Sequence, residues 1–145
     1  MKYSYDCRYF IGEKPCVYKK TCEKCDKYSP MDFRILIIKL GAMGDVLRTT
    51  PLIEGLKKKY PACHISWLVD PLSNDLIEQN KQIDRILPFS LNSYFQLLVE
   101  EFNLLICLEK EVRAAAIAEK VNAKKKTGFG LTKYGNIRPF NKEAE

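Results

Sequence analysis

The segment at residues 34–60, RILIIKLGAMGDVLRTTPLIEGLKKKY, constrains the fold of this chain more than any other. It begins with a continuous apolar run at 35–38, which is typical of a parallel strand covered on both faces. The run leads into a turn at 41–44 that holds two glycines, and then into an amphipathic helical pattern. Such glycines let the backbone approach a ligand, and a helix start favours anions. The segment therefore predicts the first strand–loop–helix unit of a Rossmann-like sheet, whose ligands gather beyond the carboxyl ends of its strands.

Strand and helix patterns alternate along the rest of the chain. We predict strands at 64–69, within 83–89, at 103–108 and at 126–129, and helices at 73–80, 93–102 and 111–121. Pro51 predicts that the helix after the glycine turn is interrupted and restarts there, because proline lacks an N–H and crowds the preceding turn. The alternation predicts an α/β fold, with a Rossmann-like parallel sheet and helices on both faces.

The chain divides by composition into three segments. Residues 1–33 form a cysteine-rich arm, residues 34–130 the Rossmann-like domain, and residues 131–145 an irregular tail or the start of a linker, because they are polar and unpatterned. With 145 residues and 46% hydrophobic composition, the chain can bury one core. The sequence has no apolar stretch that could span a bilayer and no signal-peptide pattern at its start, so we expect a cytoplasmic location.

The net charge of +6 and the pI near 9.0 favour an acidic partner, namely nucleic acid, an anionic membrane surface or a phosphorylated substrate. A mildly basic protein without such a partner fits the composition equally well.

The arm carries four cysteines, at Cys7, Cys16, Cys22 and Cys25. The C-x-x-C pair formed by Cys22 and Cys25 allows two thiolates to reach one ion from a single turn. Four soft ligands suffice for a tetrahedral zinc or an iron–sulfur cluster, and a metal would stabilise a segment too short for a core. The alternative is a flexible arm with free or disulfide-paired cysteines. A thioredoxin-type redox pair fits less well, because no strand precedes the motif.

The Rossmann-like segment resembles the N-terminal domain of glycosyltransferase family 9, the lipopolysaccharide heptosyltransferases. The matching motifs are G-D-V at 44–46, T-T-P at 49–51, W-L-V at 67–69 and the stretch FNLLICLEKEVRAAAIAEKVNAKKKTGFG at 102–130. The resemblance covers about residues 34–130. It implies the N-terminal half of a GT-B fold, in which this half binds the sugar acceptor and a C-terminal domain binds the nucleotide-sugar donor, typically ADP-heptose. Transfer in the family inverts the anomeric centre and needs no catalytic metal.

The resemblance also implies partners for the chain. The acceptor would be the lipopolysaccharide inner core with its lipid A, and peripheral contact with the cytoplasmic face of the inner membrane would accompany that substrate. A donor-binding half does not follow in this sequence. We therefore expect a fragment of a longer glycosyltransferase, or one piece of a split enzyme whose donor domain lies on a second chain.

Asp45 is the residue to which the family assigns the general base, because it is the aspartate of the G-D-V motif. A carboxylate near the acceptor hydroxyl can remove its proton during transfer. From the residues alone, a helix N-cap is the favoured role of Asp45, and the resemblance changes this preference to catalysis. The residues expected to bind the acceptor or its phosphates are Gly41, Gly44, Arg48, Thr49, Glu109 and Lys110.

Two other functions remain open at this point. A non-catalytic module that binds an anionic glycan or a partner chain would need Arg48 and would tolerate loss of Asp45. A metal-stabilised nucleic-acid binder would account for the cysteines and the basic pI. We rank it last and expect no nucleic-acid partner, because outside the N-terminal arm basic and aromatic residues are not interleaved in a recognisable module.

Overall fold

The computed structural model describes residues 3–12 and 16–144, and the chain divides into two compact units at residues 32 and 33. In the first unit the described residues form turns and one isolated antiparallel bridge between Cys7 and Pro30. The Tyr28 hydroxyl donates to the Asp6 carboxylate at 2.5 Å, and Lys20 pairs with Asp26 at 2.8 Å. The cysteine-rich arm is thus ordered by side-chain and turn hydrogen bonds. The parts of the arm prediction that fall on residues 1–2 and 13–15 lie outside the described residues.

The second unit alternates strands and helices. Its first half contains β1 (Arg34–Ile38), α1 (Met43–Thr49), α2 (Pro51–Lys59), β2 (His64–Val69), a 3₁₀ turn (Pro71–Ser73), α3 (Asn74–Ile77) and β3 (Arg85–Pro88). Its second half contains α4 (Leu91–Val99), β4 (Glu101–Cys107), α5 (Val112–Lys120), β5 (Asn122–Leu131), β6 (Ile137–Pro139) and a 3₁₀ turn (Lys142–Ala144). None of the described helices is long and apolar enough to cross a membrane.

The strands form one sheet in the order β3-β2-β1-β4-β5-β6. The first five strands are parallel, and β6 runs antiparallel to β5. Strand β1 is central, since Ile35 lies between Ile65 of β2 and Leu104 of β4. The predicted fold class, an α/β fold with a Rossmann-like parallel sheet, is confirmed.

Side chains of β1 alternate between two cores, one on each face of the sheet. Ile35 and Ile37 pack with Ile53 of α2 and Trp67 of β2. The intervening residues of β1 enter a second cluster that includes Leu97 of α4 and several residues of α5. Because successive strand residues point to opposite faces, the continuous apolar run of β1 requires helices on both sides.

The interruption predicted at Pro51 is confirmed, because α1 ends at Thr49 and α2 begins at Pro51. Proline is tolerated there since the first residue of a helix has no intrahelical N–H bond to lose.

Four predictions about element boundaries were wrong. The helix predicted at 73–80 spans only Asn74–Ile77, and the short strand predicted at 126–129 runs over Asn122–Leu131. The helix predicted over 93–102 ends at Val99, because Glu100 is extended at ψ 152° and Phe102 pairs with Ala123 of β5. The irregular tail predicted over 131–145 contains strand β6. That strand follows a tight turn, and Phe140 then packs against the second core cluster beside Gly130. A three-residue strand carries too little periodicity to be recognised in a polar sequence.

A charge cluster fixes the amino edge of the sheet. The Glu100 carboxylate pairs with Arg34 at the start of β1 and, at 2.8 Å, with Arg85 at the start of β3. Burial raises the pKa of Glu100, but hydrogen bonds and charge from Arg85 and Arg34 outweigh burial and hold the pKa below its usual range. Glu100 is therefore ionised in the folded protein and ties two strands together.

We predict that Glu100→Gln lowers the free energy of unfolding at pH 7 by about 1–3 kcal/mol, because two half-buried guanidinium groups lose their counter-charge. The folded-state pKa lies below the unfolded value of about 4.3, so the stabilisation is present above that pH and is lost as the pH falls through the folded-state pKa. Urea unfolding from pH 7 to pH 3 should show the two proteins converging in acid. Glu101→Gln, an exposed neighbour, is the control. A constant difference across this range would contradict the role of Glu100.

Candidate functional site

The loops that follow the strands meet at the carboxyl edge of the sheet, because the strands are parallel. The pairing of Ile38 with Cys107 places the ends of β1 and β4 side by side. Residues 39–42 follow β1, Asp70 follows β2 directly, and Glu109 follows β4. The predicted acceptor residues lie on two of these loops and on the helix α1 that begins there.

Glu109 joins the loop after β4 to the glycine turn after β1. Its Oε2 accepts hydrogen bonds from the backbone N–H of Leu40 at 3.2 Å and of Gly41 at 3.3 Å, and it pairs with the Lys39 ammonium at 3.2 Å. Lys39 is only 8% exposed, and its carbonyl accepts from the Trp67 indole N–H at 3.1 Å. Both Glu109 and the Gly41 N–H, which we expected to contact a ligand, are thus engaged within the protein and position the glycine turn.

Asp45 lies on α1 with its carboxylate towards solvent. It is the third residue of the helix, and the N-cap residue is Ala42, so the N-cap alternative for Asp45 is wrong. Its side chain is 53% exposed, and its Oδ1 lies 3.8 Å from a guanidinium nitrogen of Arg48. Among the hydrogen bonds of the described residues, the Asp45 carboxylate receives none from a helix N–H. The carboxylate is therefore open to a ligand at this edge.

The other residues of α1 that we predicted to bind the acceptor differ in whether their polar groups are free to contact a ligand. Arg48 is exposed and reaches only Asp45 among the described residues. The Thr49 hydroxyl donates to the Asp45 carbonyl at 2.7 Å, so it is used within the helix. At Gly44 an added Cβ would meet nothing within 4 Å, which leaves open space at the start of the helix.

Lys110, Asp70 and Arg113 follow strands β4 and β2 at the carboxyl edge, and each has a defined neighbour. The Lys110 ammonium lies 5.0 Å from the centroid of the Phe129 ring. Arg113 lies 4.0 Å from the Asp70 carboxylate and 4.8 Å from the centroid of the Phe89 ring. The sequence analysis missed Asp70, Phe89 and Arg113. The position of Asp70 directly after a buried strand was a usable signal, whereas the approach of Arg113 depends on the tertiary fold.

The apolar rim of this edge is also exposed. Large apolar side chains follow the strand ends and stay in contact with solvent, at Met43, Leu47, Leu72, Leu108 and Val112. The edge therefore offers a carboxylate and two cations, Arg48 and Lys110, among apolar side chains. Such a surface suits a ligand that has anionic and apolar parts.

The four cysteines of the arm line one small cavity. Cys7 is buried, the other three are partly exposed, and all four are free thiols. Within residues 3–12 and 16–144, however, no three side chains of His, Cys, Asp or Glu are grouped so that they could hold a metal ion. The donor chemistry fits a soft metal, but the sulfur positions do not form a closed site. Metal binding at these cysteines stays a prediction.

We predict that Glu109→Gln lowers the free energy of unfolding by about 1–3 kcal/mol, because the buried Lys39 ammonium loses its counter-charge. Urea unfolding at neutral pH measures this difference. Glu111→Gln is the control, because Glu111 lies two residues from Glu109 and pairs with Arg113 in contact with solvent. This substitution should change the free energy of unfolding by less than about 0.5 kcal/mol. Equal effects of the two substitutions would mean that Glu109 does not position the turn.

Comparison with known proteins relates this fold to one group. No protein-family model matches the chain. The lipopolysaccharide core heptosyltransferase OpsX of Haemophilus influenzae is 25% identical over 104 residues, which are 66% of this chain and 30% of that protein. The crystal structure of a glycosyl transferase family 9 protein from Veillonella parvula matches with a TM-score of 0.60 at 26% identity, covering 68% of this chain and 32% of that one.

The structure of E. coli heptosyltransferase WaaC with ADP shares the fold, with a TM-score of 0.58 at 21% identity over 66% of this chain and 35% of that one. The chain thus spans about a third of the length of the proteins that it matches. Part of this chain is therefore a heptosyltransferase-like domain similar to those of glycosyltransferase family 9.

Proposed function

We propose that this chain is the acceptor-side half of an inverting glycosyltransferase, which transfers a heptose from ADP-heptose to the lipopolysaccharide inner core. Similarity to proteins named heptosyltransferases and to a structure that contains ADP supports this proposal. The observation that carries it is the exposed Asp45 carboxylate, which lies at the carboxyl edge beside a glycine turn that Glu109 holds in place.

Asp45 acts as the general base in the proposed reaction. The acceptor hydroxyl oxygen forms a bond to the anomeric carbon of the heptose, and its proton passes to the Asp45 carboxylate. The bond between the anomeric carbon and the phosphate oxygen breaks at the same time, and ADP leaves with the electron pair. Attack from the face opposite the leaving group inverts the anomeric centre. A positioned base of this kind typically contributes a rate factor of about 10²–10⁴.

Arg48 and Lys110 bind anionic groups of the acceptor in this scheme. Both lie at the carboxyl edge, and the Lys110 ammonium is placed by the Phe129 ring. A guanidinium can bind a phosphate or carboxylate with two parallel hydrogen bonds, whereas an ammonium acts as a point charge. Gly44 lets the acceptor approach the backbone at the start of α1. Glu109 and Lys39 take no direct part and keep the turn in its position.

The donor is bound by a further domain, on the same chain in a longer protein or on a second chain. The matched proteins are about three times as long as the segment that they share with this chain. A domain facing the carboxyl edge would bring ADP-heptose to the acceptor hydroxyl at Asp45. The reaction would take place in the cytoplasm, where nucleotide sugars are available.

We predict that Asp45→Asn lowers kcat by about a hundredfold or more and leaves KM for the acceptor within about threefold, because the amide keeps the shape of the side chain but accepts no proton. The assay follows heptose transfer from ADP-heptose to lipopolysaccharide that lacks inner-core heptose. It uses the native protein that contains this chain, purified from its host.

Asp75→Asn is the matched control for this measurement, because Asp75 is another exposed aspartate in the first turn of a helix, α3. Its activity should equal that of the unchanged protein. Full transfer by the Asp45 variant would refute the base assignment. If Arg48→Ala then abolished acceptor binding, the chain would be a non-catalytic module that binds an anionic glycan.

We further propose that the arm binds zinc or an iron–sulfur cluster through Cys7, Cys16, Cys22 and Cys25. Their shared cavity and the soft character of four thiolates support this proposal. Lys27 N–H donates to the Cys25 sulfur at 3.3 Å, a contact that stabilises a thiolate. The arm serves folding in this proposal, and the transfer reaction itself needs no metal.

Metal analysis of the purified chain should give one zinc ion, or the iron and sulfide of one cluster, per molecule. Cys22→Ser with Cys25→Ser should remove this metal. Cys63→Ala with Cys107→Ala should keep it, because those two thiols are buried in the second unit. Burial also raises the pKa of the Cys107 thiol to about 11, which makes it a poor ligand. Equal metal content in both double variants would contradict the arm site.

A further inference from the structure

The lining of the arm cavity restricts the kind of metal that it can bind. Besides the four thiols, the cavity is lined by aromatic rings, two hydroxyl side chains and two lysines. Among the described residues, no histidine, aspartate or glutamate lines it. Thiolates are soft ligands that bind zinc and iron well, whereas magnesium and calcium prefer oxygen ligands. The donor set therefore selects a soft metal.

The size of the cavity separates a single ion from a cluster. Its free volume is about 20 Å³, and a space of roughly 10–15 Å³ already holds one water molecule. Because the described thiols are not grouped as a closed site, binding of a metal has to draw the sulfurs inward, which narrows this space further. An iron–sulfur cluster places several iron and sulfide atoms between the thiolates. The cavity has room for one ion.

Two lysines in the turns around the thiols have a left-handed backbone conformation. The φ angle is 54° at Lys19 and 56° at Lys24, and among the described residues other than glycine these two alone have a positive φ. Lys24 lies inside the C-x-x-C pair, and the Lys19 N–H donates to the Cys16 carbonyl at 2.8 Å, which closes the turn that carries this thiol. Side chains disfavour this conformation, so it persists where the fold requires it, as it often does at binding sites.

The remaining thiols are also held by the backbone. The Arg8 N–H donates to the Ser29 carbonyl at 2.9 Å, so the strand-like segment that carries Cys7 lies against the chain just beyond the C-x-x-C pair. The Cys25 sulfur accepts the Lys27 N–H at 3.3 Å. Backbone N–H groups that donate to sulfur favour the thiolate, which is the form that binds metals. Thiols that are far apart in the sequence are thus brought to one cavity by backbone contacts.

We propose that the arm binds one zinc ion rather than an iron–sulfur cluster, and that the left-handed turns at Lys19 and Lys24 are shaped for this ion. The inference rests on the proposed metal site of the arm and decides between its two metals. Zinc in structural sites is bound tetrahedrally, and four thiolates complete that coordination. No position is left for a substrate, so the ion serves to fold a unit that has little core of its own.

The first test identifies the metal in the purified chain. We expect zinc at one ion per chain, without iron and without acid-labile sulfide. Replacement of the zinc by Co²⁺ should give the visible absorption of tetrahedral cobalt bound to thiolates. Cys7→Ser should weaken this absorption, because the buried Cys7 supplies one of the four sulfurs.

The second test compares glycine with alanine at Lys24, by titration of the zinc-free, reduced chain with Zn²⁺ against a chromophoric chelator. Both substitutions remove the same charge, but only alanine keeps the Cβ that disfavours a left-handed backbone. Because zinc binding is coupled to folding of the arm, Lys24→Gly should bind zinc at least about threefold more tightly than Lys24→Ala. The same order is expected at Lys19. Lys27 is the matched control, since its φ is not positive, and Lys27→Gly should bind zinc no more tightly than Lys27→Ala.

The outcomes separate this inference from the arm site on which it rests. Iron in place of zinc, lost in Cys22→Ser with Cys25→Ser, would overturn the choice of zinc and leave the arm site in place. A chain that binds neither metal, or zinc binding that this double variant retains in full, would overturn the arm site itself. Equal zinc affinities of the glycine and alanine variants at both Lys19 and Lys24 would overturn the role of the left-handed turns.

Discussion

The burial of β1 on both faces is the constraint on which the second unit depends. Every residue from 35 to 38 is fully buried, so the strand needs a neighbouring strand on each edge and helices on each face. Strands β2 and β4 supply the edges, and helices from both halves of the unit supply the faces. Because β1 and β4 are parallel neighbours, the loop after β1 opens at the same edge of the sheet as the loop after β4. The site follows from this geometry.

Glu109 fixes the glycine turn after β1 at this edge of the sheet. A carboxylate that accepts two backbone N–H groups of the glycine turn and pairs with a nearly buried lysine leaves the turn little freedom. The helix α1 starts immediately after this turn, so the direction of Asp45 is set by a contact made about 65 residues later in the chain. In the proposed reaction the base needs such support, because its own side chain is half exposed.

The sequence predicted the sheet well and the site only in part. The continuous apolar runs of the strands and the new helix that begins at Pro51 are local signals, and the structure contains both features. The role of Glu109 was not predictable, because a residue at the end of a strand carries no sign of whether it faces a ligand or the backbone of another loop. The end of α4 and the strand β6 depend on pairing with β5, which is a tertiary effect.

The proposed reaction requires that the acceptor binds at the carboxyl edge of the sheet. Titration of the ¹⁵N-labelled chain with a lipopolysaccharide inner-core oligosaccharide that lacks heptose tests it most directly. Acceptor binding at this edge predicts amide chemical-shift changes in residues 40–48, 70–72 and 108–113, and none at the amino edge of the sheet. Shift changes confined to other parts of the chain, or none at millimolar oligosaccharide, would contradict the claim.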